Sequence, residues 1–235
     1  MKYLYSILFL VSVLSIGCNK KFTTPTGEKI PLFRGTIVYD IEVESPLKGK
    51  YEGNLASVLG NEMHLTIYKN GDIQRLYKGS DSTVGYDIRY IDLEDKEVLE
   101  KYNDSDSLHI HSLEKRNYSK LKDLRTSNES LKLLNRELKQ VAIAAQESPY
   151  PMANGNFLAI KYWYDETIRI DKSKYTNVND ELFNYYIEET NGALFLKYEL
   201  DYYTYKVTYT AKDILPNTYL KSNDKLDEEA PRVKE

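Results

Sequence analysis

Residues 63–77 read MHLTIYKNGDIQRLY, and this stretch decides the fold class. Two runs of alternating apolar and polar residues, 63–68 and 72–77, flank Asn70 and Gly71. An Asn-Gly pair between two such runs is the strongest short-range signal for a β-hairpin, because both residues tolerate the backbone angles of a tight turn. The stretch therefore predicts two antiparallel strands joined by a turn.

The same alternation continues on both sides of this hairpin. Upstream, GTIVYDIEVE begins at Gly35. Downstream, further candidate strands lie at residues 84–92, 97–102, 108–113, 141–145, 156–171, 193–200 and 202–211. Tyrosine accounts for 22 of the 235 residues, and aromatic residues suit a pleated, half-buried surface. The pattern predicts a mainly β (α+β) protein with a curled antiparallel sheet of about nine to eleven strands.

Three segments depart from the strand pattern. Residues 45–61 contain proline and glycines, which indicate a crossover with a short helix at about 51–59. Residues 114–140 carry leucines at helical spacing and predict a second helix; these are Leu131, Leu134 and Leu138. Residues 181–190 fit either a helix or a strand.

The N-terminus has the three parts of a secretory signal peptide. Lys2 is the positive start, residues 3–16 are uncharged, and Gly17 precedes Cys18. A transmembrane anchor is the less favoured alternative, because a helix needs about 20 apolar residues to cross a bilayer. Residues 1–17 are therefore predicted to be a signal peptide, with Cys18, the only cysteine, as the first residue of the mature protein.

The residues LSIGC at 14–18 resemble the bacterial lipobox, although Ser15 stands where leucine is commonest. The resemblance implies that Cys18 is acylated, and anchoring by more than one acyl chain is durable. Asn19 rather than Asp follows, which favours the outer membrane, and the lack of an acid before Glu28 favours its periplasmic face. We expect a cell-envelope protein that is lipid-anchored to the outer membrane.

The remaining composition sets the domain boundaries. Residues 18–34 are polar with two prolines and are predicted to be a membrane tether. Residues 35–220 are predicted to be a single β-rich domain, and the charged residues 221–235 a disordered tail. A formal net charge of −4 without a basic stripe excludes a nucleic-acid partner. With a single cysteine, the domain is expected to fold without a disulfide.

The order of these blocks resembles a family of periplasmic lipoproteins. A leading G-x-I-x-Y strand and the hairpin are followed by YWYDETIRID at 162–171, NGALFLKYEL at 191–200 and VTYTAKDI at 207–214. This order resembles the GLPGLI and lipoprotein-carrier (LolA-like) type over about residues 35–220, although the Gly-Tyr-x-Cys strand of similar proteins is missing. The resemblance implies a half-open barrel over an apolar cavity, with one or two helices covering the mouth.

Such a concave sheet, lined by Tyr and aliphatic residues, predicts the binding of a hydrophobic ligand or a lipidated partner, because ligand sites are typically concave and apolar. The candidate cavity residues are Tyr39, Ile41, Leu158, Ile160, Tyr162, Leu196, Tyr198, Tyr205 and Val207. The alternative is a non-enzymatic structural or assembly lipoprotein of the cell envelope that acts by protein–protein contact.

The sequence carries no catalytic motif. It has neither a G-x-S-x-G elbow nor a glycine-rich phosphate loop, so we expect no enzymatic activity and no cofactor. His109 and His111 lie two apart on a candidate strand and point to one face. They are weak candidates for a metal site, because zinc needs at least three protein ligands. We expect both to face solvent and to bind no metal.

Overall fold

The computed structural model describes residues 21–23, 27, 29–44, 52–81, 83, 85–113, 120–146, 158–220, 226–227 and 230–234, with the side chains of residues 52–55 outside the description. The predicted signal peptide and Cys18 lie outside the described residues, so they stay predictions. No helix in the described part of the chain combines the length and the apolar character needed to cross a membrane.

The described residues form fourteen strands, two α-helices and two short 3₁₀ helices. The strands are β1 (Lys21–Thr23), β2 (Lys29–Pro31), β3 (Gly35–Glu44), β4 (Glu62–Ile67), β5 (Ile73–Lys78), β6 (Tyr86–Asp92), β7 (Glu97–Tyr102), β8 (Leu108–Ser112), β9 (Leu121–Leu133), β10 (Arg136–Ala145), β11 (Ala159–Arg169), β12 (Ala193–Asp201), β13 (Lys206–Pro216) and β14 (Arg232–Lys234). The helices are α1 (Glu52–Leu59) and α2 (Phe183–Glu189), and the 3₁₀ helices span Lys172–Lys174 and Asp180–Leu182.

Twelve strands form one open sheet in the order β14-β8-β7-β6-β5-β4-β3-β13-β12-β11-β10-β9. The sheet curls around one large hydrophobic core, and within the described residues its end strands β9 and β14 each have one neighbour. The mainly β, half-open barrel is confirmed. The strand number exceeds the predicted nine to eleven, because β9 and β14 form in segments that were predicted to be helical and disordered.

The sheet consists of two meanders. The first runs from β3 to β8 and includes α1, the short helix that the sequence predicted at about 51–59. The second runs from β9 to β13. They join where β13 returns to pair with β3, placing Tyr209 opposite Ile41. The concave face therefore has two halves, which belong to different parts of the sequence.

The hairpin predicted at residues 63–77 is confirmed as β4 and β5. Ile67 pairs with Ile73, and the backbone N–H of Gly71 donates to the carbonyl of Tyr68 at 3.0 Å. Gly71 has a φ of 101°, a conformation that L side chains rarely adopt. The Asn-Gly pair thus shapes a wider loop than the two-residue turn that it usually signals.

The helix predicted within residues 114–140 is wrong for the residues that the structure describes, because residues 121–145 form the hairpin β9–β10. Leu133 pairs with Arg136, and the two residues between them, Leu134 and Asn135, have φ angles of 49° and 59°. Both angles are positive, as a type I′ turn requires. Pairing of β10 with neighbours on both sides overrides the helical spacing of the leucines.

The N-terminal segment predicted to be a tether contains paired strands. β1 pairs with β2, placing Lys21 opposite Pro31. The guanidinium carbon of Arg169 lies 4.5 Å from the centre of the Phe22 ring, and the N–H of Phe33 donates to the carbonyl of Arg169 at 2.6 Å. The start of the described chain is therefore held against the end of β11.

The C-terminal segment predicted to be disordered contributes strand β14, which pairs in parallel with β8. Leu226 and Ala230 pack against a small apolar cluster that includes Leu99 and Leu108. The prediction of disorder therefore does not hold for residues 232–234, because apolar contacts and an available sheet edge outweigh the charged composition.

A double substitution in the β9–β10 turn distinguishes a hairpin from a helix by the sign of its effect on the free energy of unfolding. Replacing Leu134 by Asn and Asn135 by Gly (L134N/N135G) is expected to raise the free energy of unfolding by about 1 kcal/mol, because an L side chain in the left-handed region costs about 1–2 kcal/mol. In a helix the same change would cost about 1–2 kcal/mol. Urea denaturation measures the sign, and Lys122→Asn on the exposed side of β9 is the control, expected within about 0.5 kcal/mol of the parent.

Candidate functional site

The chain between β11 and β12, residues 172–190, lies on the concave face and is called the plug. Of residues 181–190, which fitted helix or strand, Phe183–Glu189 form the helix α2. The buried apolar side chains of the plug are Tyr175, Val178, Leu182, Phe183, Tyr186 and Ile187. The ring of Tyr186 lies 4.2 Å from that of Tyr162 on β11 and 5.7 Å from that of Phe195 on β12, measured between centroids. The plug therefore fills the space that the sequence predicted to be a cavity.

The structure brings most of the predicted cavity residues into this one core. Those that are buried are Tyr39, Ile41, Ile160, Tyr162, Leu196, Tyr198 and Val207. Tyr205 is half-buried and packs against the same core. Leu158, just before β11, is 42% exposed and does not belong to it.

Two cavities border the plug among the described residues. The one between Arg75, Phe183 and Phe195 measures about 10 Å³, on the order of the space that one water needs. The other, of about 160 Å³, opens at the rim beside Gly71 and Tyr175, below the roughly 300–1,000 Å³ of typical ligand pockets. Neither of these two cavities is large enough for an acyl chain while the plug is in place.

A buried set of charges, called the charged cluster, holds the plug to the sheet. Arg75 on β5 donates two hydrogen bonds to the carboxylate of Glu181, at 3.1 and 2.9 Å. Arg89 on β6 donates to Asp180 at 2.5 Å, and its Nε lies 2.9 Å from Glu100 on β7. Asp180 and Glu181 belong to the plug, so its attachment is ionic as well as apolar.

The charged cluster is largely buried, and Glu181 is its half-buried member. Glu100 is fully buried, and Arg75, Arg89 and Asp180 are buried as well. Two guanidinium groups face three carboxylates, a formal total of −1. Taking one partner from such a buried pair is costly, because it leaves a charge without its counter-charge.

Ion pairing keeps both arginines charged. Burial acts to lower the pKa of Arg75, but Glu181 raises it well above its ordinary value. Burial acts in the same way on Arg89, where Asp180 and then Glu100 raise the pKa. The guanidinium groups are therefore permanent cations beneath the plug.

The plug enters the charged cluster through a strained turn. Glu181 has φ 51° and ψ 29°, and Leu182 has φ 54° and ψ 30°. Left-handed residues other than glycine cost about 1–2 kcal/mol each and persist where surrounding contacts over-determine them. Here those contacts are the Arg75 pair and the complete burial of Leu182.

Sequence reasoning missed the charged cluster. A signal was present, because Arg75 occupies the inward phase of β5 between the buried Ile73 and Tyr77. Glu100 likewise follows the buried Val98 at a spacing of two. A charged residue in the apolar phase of a strand indicates a buried partner, but the partner's position depends on the tertiary fold.

The two histidines of β8 are half-buried, so the prediction that they face solvent is wrong. His111 Nε2 lies 3.3 Å from the buried Glu100, and His109 packs edge-on against the ring of Tyr102 at 5.3 Å. They face the same side as the charged cluster because β7 pairs with β8. Across the described ranges, no three His, Cys, Asp or Glu residues are placed to hold a metal ion.

No protein-family model and no curated protein matches the chain. Among solved structures, PNGF-II in the C2 space group has a TM-score of 0.44 at 13% identity, covering 85% of this chain and 31% of that chain. The Mycobacterium tuberculosis lipoprotein LppX has a TM-score of 0.37 at 10% identity, covering 80% and 89% of the two chains. A putative outer membrane lipoprotein-sorting protein domain from Vibrio parahaemolyticus has a TM-score of 0.33 at 9% identity, covering 81% of this chain and 88% of that chain.

Two of these neighbours are described as a lipoprotein and as a lipoprotein-sorting domain. The narrower GLPGLI resemblance has no match among family models. The chain spans less than a third of the PNGF-II chain. All three likenesses are distant, and none of them shows the function of this chain.

The buried tyrosines predict alkaline unfolding. Burial raises the pKa of Tyr39, Tyr162, Tyr186, Tyr198 and Tyr209 well above the ordinary value. The unfolded chain loses these protons above about pH 10 while the native state keeps them, so the free energy of unfolding falls by about 1.4 kcal/mol per pH unit for each tyrosine. We expect cooperative unfolding within about one to two units above pH 10, with tyrosinate absorbance and circular dichroism changing together.

Two tyrosine variants separate this effect from general alkaline damage. Tyr198→Phe is expected to move the midpoint to higher pH, because one titrating group is removed from the core. Tyr203→Phe is the matched control, since Tyr203 is largely exposed. Equal midpoints for both variants would show that burial of the tyrosines does not set the alkaline limit.

The Arg75–Glu181 pair is expected to be worth far more than a surface pair. Glu181→Gln should lower the free energy of unfolding by about 3 kcal/mol, because it leaves a buried guanidinium without its counter-charge. The control Glu188→Gln breaks an exposed pair with Lys172 and should cost less than about 1 kcal/mol. Urea denaturation of both variants gives the comparison, and equal losses would contradict the ionic attachment of the plug.

Proposed function

We propose that this chain is a lipid-anchored envelope lipoprotein that receives an apolar chain on its concave face when the plug is displaced. The apolar chain would come from a lipid or a lipidated partner. One observation carries the proposal: an aromatic concave surface is covered by a segment attached through ion pairs and a strained turn, without strand pairing.

The surface beneath the plug is suited to an apolar ligand because it presents aromatic rings. The hydroxyl of Tyr39 donates within the sheet, to the carbonyl of Phe195 at 2.7 Å, whereas that of Tyr162 donates to the plug itself, at the carbonyl of Glu181, 3.2 Å away. The Tyr162 ring lies 5.3 Å from Phe195 between centroids. Such rings bury large apolar areas, which an acyl chain could cover in place of the plug's own side chains.

Both ends of the plug are fixed to the barrel, which supports a movement like that of a flap. The N–H of Ile170 donates to the carbonyl of Gly192 at 2.8 Å. Arg169 donates to the carbonyls of Thr190 at 2.9 Å and Asn191 at 2.7 Å. The middle of the plug, with its charged turn and short helix, can then leave the concave face while its ends stay in place.

A substitution that weakens the packing of the plug tests the proposal. Phe183→Ala should increase affinity for dodecanol, because it removes apolar contacts that hold the plug on the concave face, so that less free energy is needed to displace it. It should also cost about 3–5 kcal/mol of stability. Tyr203→Ala, which truncates a largely exposed aromatic side chain, is the control and should leave dodecanol affinity unchanged.

The assay uses the full chain carrying Cys18→Ser, which cannot be acylated at that position. Hydrogen exchange should show that dodecanol speeds exchange of backbone amides in the plug and leaves those of β11 and β12 protected. A chain that binds no dodecanol in either form, with unchanged exchange in the plug, would refute the proposal.

Contact with a protein partner is the second candidate, since β9 is a 13-residue strand at the sheet edge. However, β9 contains a register shift, where consecutive residues of β10 pair with Ser130 and Ser127. It also exposes Lys122, Arg125 and Lys132. Bulges and charges are the features that block strand addition at an edge, so ligand binding is the better-supported proposal.

We also propose that the chain is not an enzyme. The arginines and carboxylates of the charged cluster are engaged with one another, and Glu100 is fully buried. Catalysis would require such groups to converge on an open pocket.

A further inference from the structure

We propose that the carboxylates of the plug occupy the place of an anionic head group, so that the ligand of this site is an amphiphile with a phosphate or carboxylate head. The inference rests on the proposed function and names its ligand class. It is carried by the position of Arg75 and Arg89 at the border between the apolar and charged halves of the concave face.

The two halves meet at Arg75, which lines the small cavity together with Phe183 and Phe195. Within the apolar half, Tyr198 on β12 stacks on Tyr209 at 4.2 Å with nearly parallel rings. The guanidinium of Arg75 binds the plug. An apolar surface that ends at a cation has the layout of an amphiphile, with the chain on one side and the head on the other.

Displacing the plug changes the sign of the charged cluster. Without Asp180 and Glu181, the two arginines would face Glu100 alone, so the formal total would change from −1 to +1. Among the described residues, Arg75 has Glu181 as its single ion-pair partner. Because an uncompensated buried cation is costly, an incoming anion stabilises the open state more than a neutral chain, which leaves Arg75 without an ion-pair partner.

The geometry around Glu181 matches that of a bound anion. Its carboxylate accepts two bonds from Arg75 and also lies 3.8 Å from Nη1 of Arg89. Two guanidinium groups thus surround one anion, and one of them binds it in a bidentate manner. This is the arrangement by which arginine recognises carboxylates and phosphates.

Unused buried donors, one of them on Arg75 itself, favour a head with more oxygens than a carboxylate. The hydroxyl of Tyr198, a side chain only 1% exposed, and Nε of Arg75 have no hydrogen-bond partner among the described residues. Buried donors are normally satisfied. A phosphate has additional oxygens that can accept from these donors, whereas the two oxygens of Glu181 are already used by Arg75.

The strained turn lowers the cost of the exchange. Glu181 and Leu182 hold left-handed backbone angles only while their contacts persist. Release of the plug relieves this strain and replaces one anion at Arg75 by another. Head-group binding and plug release are therefore coupled.

The test measures binding of dodecyl phosphate, dodecanol and inorganic phosphate to the full chain carrying Cys18→Ser, by calorimetry. Dodecyl phosphate should bind at least about tenfold more tightly than dodecanol, because a charge-assisted hydrogen bond is added. Inorganic phosphate should bind far more weakly than dodecyl phosphate, since it lacks the chain that fills the apolar half.

Four substitutions, the last of them a control, test whether Arg75 sets the preference. Arg75→Met should reduce the ratio of the two dodecyl affinities to about one, and Arg75→Lys, which keeps the charge but loses the fork, should reduce it partly. Glu181→Gln should strengthen binding of both dodecyl ligands by the same factor, because it removes the competing anion and leaves the open state unchanged. Arg125→Met, at an exposed pair with Asp123, should leave the ratio unaltered.

The outcomes separate this inference from the proposed function. Equal affinity for dodecyl phosphate and dodecanol would overturn the head-group inference while apolar binding stands. Binding of neither would refute the proposed function itself. A third outcome is that inorganic phosphate binds as tightly as dodecyl phosphate and that Arg75→Met abolishes this binding. It would overturn the inference of an amphiphilic ligand and show a site for free phosphate.

Discussion

The pair between Arg75 and Glu181 connects the sheet, the plug and the site. A curled sheet of this size has one large apolar face that must be covered. The plug covers it, and its central turn is held in a strained backbone conformation by the two hydrogen bonds from Arg75. The covering of the concave face therefore depends on a buried charge as well as on apolar packing.

Because the Arg75–Glu181 pair is buried, losing either partner is costly unless another group takes its place. A buried guanidinium without an anion is costly, so the concave face is stable with the plug in place or with another anion at Arg75. Apolar packing alone would not produce this dependence, because it is non-directional and scales with area. In the proposed function, the charge of Arg75 selects the occupants of this face, and the aromatic rings provide the surface on which they would lie.

The two meanders contribute different chemistry to one face. The N-terminal meander supplies Arg75, Arg89 and Glu100, and the C-terminal meander supplies the stacked rings of Tyr198 and Tyr209. They come together because β13 returns to pair with β3. A long-range strand pairing thus brings the charged residues of one meander onto the same face as the stacked rings of the other.

The sequence by itself determined the β class, the hairpin at residues 63–77 and the identity of most core residues, because a period of two is a local property of each strand. It did not determine the β9–β10 hairpin, where pairing on both sides of β10 overrode the helical spacing of the leucines. Only the tertiary structure decided that the concave face is filled by residues 172–190 and that Arg75 meets Glu181. Those partners are more than a hundred residues apart, and no local pattern records which distant charge a buried arginine will find.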